Sequence, residues 1–222
     1  MNVVLFGATG MVGSGVLLEC LDDPRVASVL VVGRRSCGVT HPKLTEVLHD
    51  DFFDYSALGP HLSGLDACFF CLGVSAAGMN EAEYTRLTHD LTLAAARALL
   101  DRNPDMVFCY VSGLGTDSTE SGRAMWARVK GRTENALLAM PFRGAYMFRP
   151  GFIQPLRGVR SRTRLYAALY RVAGPFFPLL RRLFPRQVTT SVRVGRAMIR
   201  VAAEGYASPI LESHVIDGLG AG

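Results

Sequence analysis

Asn2-Val-Val-Leu-Phe6 is followed without a gap by Gly7-Ala-Thr-Gly10-Met-Val-Gly13, and this junction decides the reading of the chain. An apolar run of five reads as a buried strand, and the residues from Met11 to Leu21 place Met11, Val12, Val16, Leu17, Leu18 and Leu21 at helical spacing. Between them, Gly7 permits a tight turn, Gly10 lets backbone amides approach a ligand with no Cβ in the way, and Gly13 lets the new helix lie close to the strand. Free N–H groups at the helix start, with the positive end of its dipole, suit a pyrophosphate. Gly7, Thr9, Gly10, Met11, Val12 and Gly13 are therefore expected to bind a nucleotide; a purely structural glycine turn is the alternative.

Working outward, strand and helix patterns alternate. Strands are expected near 2–6, 28–32, 44–48, 66–71, 106–111 and 144–148, and helices near 11–22, 80–102 and 121–139. This rhythm predicts an α/β fold, a Rossmann-type doubly wound parallel sheet in a single domain spanning 1–222. The helix at 80 carries Asn80 as cap with Glu83 three residues on, and Leu87, Leu91, Ala94, Ala95, Ala98 and Leu99 as its buried face. After Arg149-Pro150-Gly151 the pattern breaks into short helical pieces at 163–173 and 178–184, then a helix near 190–203 and a last strand near 209–216. Ligands of open α/β sheets bind beyond the carboxyl ends of the strands, so the aromatic-rich segment 151–187 is expected to form a substrate-pocket lid.

Composition narrows the classes. The chain has 222 residues, 49% hydrophobic, enough for one well-buried domain. It opens on the first strand, which predicts no cleaved leader, and the most apolar long stretch, Leu165 to Phe184, is interrupted by Arg171, Pro175, Pro178, Arg181 and Arg182. These features lead to an expected cytoplasmic location. Five cysteines suit a reducing compartment; Cys68 and Cys71 have redox spacing, but a strand turns residues three apart to opposite faces. No metal site is read from the sequence. The net charge of +5 is uneven, since residues 1–134 hold 11 basic and 16 acidic side chains whereas residues 135–222 hold 13 and 3. With neither zinc-finger spacing nor an RNA-binding aromatic signature, no nucleic-acid partner is expected; the basic, aromatic segment instead suggests a small-molecule pocket wall, with peripheral contact to anionic lipid as a lesser role.

The second strand ends in Val31-Val32-Gly33-Arg34-Arg35. Where an NAD-preferring dehydrogenase places an acid for the ribose 2′-hydroxyl, two guanidinium groups stand here, suited to forked hydrogen bonds with a 2′-phosphate. NADP(H) is therefore expected over NAD(H). Asp51, after the third strand, is placed to accept from an adenine amino group, with a plain loop acid as the alternative.

The glycine motif, Gly33-Arg34-Arg35, Cys71-Leu72-Gly73, Tyr110-Val111-Ser112, Lys130-Gly-Arg-Thr-Glu134 and Phe148-Arg149-Pro150-Gly151 together resemble the atypical short-chain dehydrogenase/reductase superfamily, in its NAD(P)-binding, epimerase-like branch. The resemblance implies that Leu72, Gly73 and Val74 lie along the cofactor and that Pro150 and Gly151 flank its nicotinamide end. It also implies a catalytic group of Ser112, Lys130 and a tyrosine four residues before the lysine. That position is Trp126. In the family the lysine binds ribose hydroxyls and lowers the tyrosine pKa; an indole N–H donates a hydrogen bond but does not trade a proton near neutral pH. Two functions remain open: an NADP-dependent oxidoreductase or epimerase-like enzyme acting on a small or hydrophobic carbonyl or alcohol, with water or Tyr84, Tyr110 or Tyr146 as substitute donor, and a non-catalytic cofactor-binding regulatory or interaction protein. By analogy with the superfamily, the helices at 80 and 121 would join a homodimer.

Overall fold

The computed structural model describes residues 1–158 and 182–222. Its centre is a seven-stranded sheet in the order β3-β2-β1-β4-β5-β6-β9, parallel throughout. The strands are β1 (Asn2–Phe6), β2 (Ser28–Gly33), β3 (Leu44–Leu48), β4 (Ala67–Phe70), β5 (Val107–Val111), β6 (Gly144–Arg149) and β9 (Ile210–Glu212). A two-stranded parallel ribbon, β7 (Phe152–Gln154) with β8 (Val188–Thr190), stands apart from the sheet. The doubly wound fold expected from the alternating pattern is thus present.

Strand alternation explains why the strands read as unbroken apolar runs. Val3, Leu5, Val29, Val31, Phe69 and Phe148 face one helical layer, formed by α1 (Met11–Asp22), α5 (Ser191–Glu204) and α6 (Ser213–Leu219). Their neighbours Val4, Phe6, Leu30, Val32, Phe70 and Met147 face the other, which includes α3 (Leu91–Leu100) and α4 (Met125–Leu138). With both faces covered, the inner strands β1, β2, β4 and β5 bury nearly every residue, while the edge strand β3 stays partly exposed. Cys68 and Cys71 pack into opposite layers, as a strand requires, and burial pushes both thiols up, so neither is a reactive thiolate.

Three elements differ from the sequence expectation. The helix expected over 80–102 opens with the Asn80 and Glu83 capping box as α2 (Glu81–Thr85), but a π-turn, Arg86–Asp90, separates it from α3. Of the expected face, Ala95 and Leu99 are fully buried and Leu91, Ala94 and Ala98 pack on the core, while Leu87, inside the wider turn, is 37% exposed and Leu93 and Ala96 join the buried face. The helix expected from 121 starts at Met125, because Asp117 folds the preceding loop by accepting from the Thr119 and Gly122 amides. The last strand ends at Glu212; Val215, Ile216 and Leu219 have helical spacing and pack as α6 against the first layer. The helical pieces expected at 163–173 and over most of 178–184 lie outside the described residues, as does the body of the expected lid. Among the described residues, no helix is long and apolar enough to cross a membrane.

Candidate functional site

The strand order reverses between β1 and β4, and a cleft opens there beyond their carboxyl ends. Gly7 has φ +81°, and a Cβ on it would stand 2.7 Å from the Cys71 carbonyl carbon. A Cβ on Gly13 would come within 2.2 Å of the Gly7 carbonyl oxygen. The turn closes with the Gly10 amide donating to that same oxygen at 2.9 Å. Helix α1 begins with no side-chain cap and no acid in its first turn, leaving the amides of Met11, Val12 and Gly13 without a competing acceptor from its own cap. This is a positive, side-chain-free cradle for an anion.

Gly7, Thr9, Gly10, Arg34, Arg35 and Leu72 are among the residues lining a cavity of about 360 Å³ in this cleft. It continues, through Arg34, Leu72 and Gly73, into a more apolar cavity of about 530 Å³ walled also by Asp51, Phe53 and Val74. Arg34 and Arg35 are exposed, and no described residue accepts a hydrogen bond or forms an ion pair with either guanidinium. Asp51 Oδ1 accepts from the Phe53 amide at 2.9 Å, which fixes the carboxylate in the wall. The cleft thus brings together Gly7, Thr9, Gly10, Arg34, Arg35, Asp51, Leu72, Gly73 and Val74, while Met11, Val12 and Gly13 form the helix start beneath it.

Ser112, Lys130 and Trp126 assemble separately, beyond β5. Lys130 Nζ donates to the Ser112 carbonyl at 2.5 Å. Burial pushes the Lys130 ammonium down to about 8, with the charge of Glu134 opposing that fall. Trp126 lies one turn earlier on α4, its indole 3.3 Å from the position a Cβ on Gly115 would take.

The role expected of Ser112 needs correction. The residue is 8% exposed, and its hydroxyl donates to Glu134 Oε1 at 2.5 Å, with the Phe148 carbonyl at 3.2 Å. Its proton is committed inward, so it does not present a donor to a substrate oxygen. Pro150 and Gly151 follow β6 and stand outside the two cavities of the β1–β4 cleft. The Pro150 carbonyl accepts from Leu114, and a Cβ on Gly151 would meet the Gln187 carbonyl oxygen at 2.3 Å, so this turn packs backbone on backbone. Among the described residues no tyrosine is seen to stand in for the missing phenol: Tyr84 is 2% and Tyr110 1% exposed, both within the core, and the Tyr146 hydroxyl lies at the turn after α5, where it accepts from the Tyr206 amide at 3.1 Å.

Sequence reasoning quoted Glu134 and Arg149 within motifs but gave them no task. Glu134, 0% exposed, accepts from Arg149 Nε at 3.1 Å and from Arg149 Nη2, and Arg149 reaches on to Ser118 Oγ at 2.5 Å and Glu212 at 3.4 Å. Burial disfavours the Arg149 charge, but the Glu134 hydrogen bonds and the two carboxylates outweigh it and hold the guanidinium pKa up. The spacing of Lys130 and Glu134, four apart on one helix, was the available signal.

No protein-family model matches the chain. Protein fmp52-1, mitochondrial, of Aspergillus terreus is 34% identical over 180 residues, covering 78% of this chain and 75% of that protein. Protein fmp52, mitochondrial, of Aspergillus fumigatus is 33% identical over 181 residues, covering 78% and 74%. Among solved structures, a short chain dehydrogenase/reductase family oxidoreductase from Burkholderia thailandensis superposes with a TM-score of 0.68 at 14% identity, covering 97% of this chain and 92% of that one. The dTDP-glucose 4,6-dehydratase DesIV from Streptomyces venezuelae, with NAD and TYD bound, gives 0.69 at 16% identity, covering 99% and 80%. These structures share the expected fold. The relatives named as mitochondrial overturn the cytoplasmic location expected from the sequence. At this identity and coverage, the chain belongs to the family of the Fmp52 proteins and has the Rossmann-type fold of the short-chain dehydrogenases/reductases.

Proposed function

We propose that this chain binds NADP(H) and acts as an oxidoreductase or epimerase-like enzyme on a small or hydrophobic carbonyl or alcohol. The observation that carries the reading is the Gly7 and Gly13 cradle, in which a Cβ would collide with backbone, opening onto two exposed arginines with no described acceptor. Such a cradle fits a pyrophosphate, and the two arginines fit a further phosphate better than a ribose hydroxyl. A dinucleotide is also what DesIV holds as NAD, and the two proteins share a fold.

Within this reading the bound nicotinamide supplies the hydride donor or acceptor. Arg34 and Arg35 hold the 2′-phosphate, Asp51 accepts from the adenine amino group, and Leu72, Gly73 and Val74 pack along the ribose and base. Lys130 holds ribose hydroxyls. Trp126 orients an oxygen through its indole N–H but gives up no proton near neutral pH. The exposed apolar side chains Val74, Leu114 and Phe152, which follow β4, β5 and β6, favour an apolar substrate.

One observation favours a second reading, a cofactor-binding interaction protein without efficient chemistry. Trp126 replaces the phenol, and among the described residues Tyr84 and Tyr110 are buried in the core while Tyr146 sits at the Tyr206 turn. NADPH consumption across a panel of aldehydes and ketones separates the two. Turnover above the buffer rate supports the enzyme, and tight NADPH binding with no turnover on any carbonyl supports the interaction protein.

A further inference from the structure

Ser112 is held from two directions by one helix. Glu134 and Lys130 are four residues apart on α4 and share a face; the first accepts the Ser112 hydroxyl and the second donates to the Ser112 carbonyl. The Ser112 amide is also committed, donating to the Phe148 carbonyl at 2.9 Å. Glu134 is itself clamped by Arg149 from the end of β6. A fully buried carboxylate carries a large desolvation cost, and an apolar pair of similar volume would serve stability at least as well. What the ion pair supplies is a fixed direction for three hydrogen bonds.

We propose that Glu134 is the positioning residue of this site: clamped by Arg149, it fixes the Ser112 peptide and thereby the carbonyl that holds the Lys130 ammonium. The inference rests on the reading of Lys130 as a cofactor ligand. The charged groups around Lys130 are Glu134 on its own helix, Arg149 at the end of β6 and, beyond Arg149, Glu212 at the head of α6. Burial raises Tyr110 of β5, which also feels the phenol of Tyr84 on α2 and the charge of Glu134, far enough that it stays neutral while the lysine titrates.

The test is calorimetric titration of the intact chain with NADPH across about pH 6.5 to 9.5, beside its melting temperature. Affinity should weaken as the lysine loses its proton, with a midpoint at about 8. Ser112→Ala, which removes the tether but keeps the carbonyl, should weaken binding about tenfold at neutral pH, and Ser112→Thr should recover most of it. Glu134→Gln should move the midpoint to lower pH, because the charge that favours the ammonium is gone. If Glu134→Gln does not fold, the alanine and threonine pair carries the test. Loss of melting temperature in Ser112→Ala and Glu134→Gln with affinity and midpoint unchanged would make Glu134 a structural strut and overturn the proposal. Lys130→Met with unaltered affinity and pH profile would instead overturn the reading of Lys130 on which the proposal stands.

Discussion

At the end of β2, Arg34 and Arg35 stand exposed with no described acceptor, whereas at the end of β6 Arg149 is nearly enclosed and donates to Glu134, Ser118 and Glu212. The same contrast runs through the surrounding residues. The β1–β4 side presents bare backbone and unpaired cations, while beyond β5 the serine, lysine, glutamate and arginine satisfy one another. If the open side holds the proposed nucleotide, the ligand completes its hydrogen bonds. A site that holds a lysine in one place is closed, since each unfilled hydrogen bond would be a freedom of movement.

The comparison breaks most visibly at Trp126. Trp126→Tyr puts a phenol four residues before Lys130 and should raise carbonyl reduction by about 10²- to 10⁴-fold, since a positioned general acid typically contributes that much. NADPH oxidation with the best carbonyl of a panel checks it, and an unchanged rate would assign proton transfer elsewhere. Gly13→Ala attacks the open side by driving a Cβ into the Gly7 carbonyl. Nucleotide binding should fall below detection while circular dichroism keeps its α/β character; wild-type affinity would remove the cradle from the site.

Arg34→Ala should cost about 1 to 3 kcal/mol in NADPH affinity and nothing for NADH, narrowing the difference between the two. Equal losses for both nucleotides would mean that Arg34 serves the pyrophosphate or the fold. A further effect belongs to the closed side. Burial pushes Lys130 down to about 8 in the folded chain, below the ordinary lysine value of 10.5, so between these the unfolded chain binds more protons. Stability should therefore rise with pH through that window, and the rise should vanish in Lys130→Met, read from urea midpoints. An identical slope in both proteins would place the titration elsewhere.

How legible each side was follows from how local its cause is. Gly7, Gly10 and Gly13 act on one another within seven residues, so their spacing announced the turn, and the apolar strand runs announced a sheet covered on both faces. Ser112 was misread because its partners are 22 and 36 residues away in sequence, and nothing at Ser112 itself says which way a strand-end hydroxyl turns. Gly151 has a second need that its sequence neighbours do not announce, the Gln187 backbone brought in by the β7–β8 pairing. The π-turn after Thr85 had no residue marker, yet Leu87 within it is exposed and Leu93 beyond it joins Ala95 and Leu99 in the core. The final apolar run satisfied both periods, and packing of Val215, Ile216 and Leu219 against α1 and α5's layer chose the helix.

The central claim is that the open cleft is built for a phosphorylated dinucleotide. Calorimetric titration of the unmutated chain with NADPH and with NADH, in the same buffer, tests it most directly, and the emission of Trp126, the single tryptophan, followed in parallel reports whether the far end of the ligand reaches the closed network. The account predicts that NADPH binds at least about tenfold more tightly than NADH, with a change in tryptophan emission at saturation. Equal affinities, or no binding of either nucleotide, would contradict it.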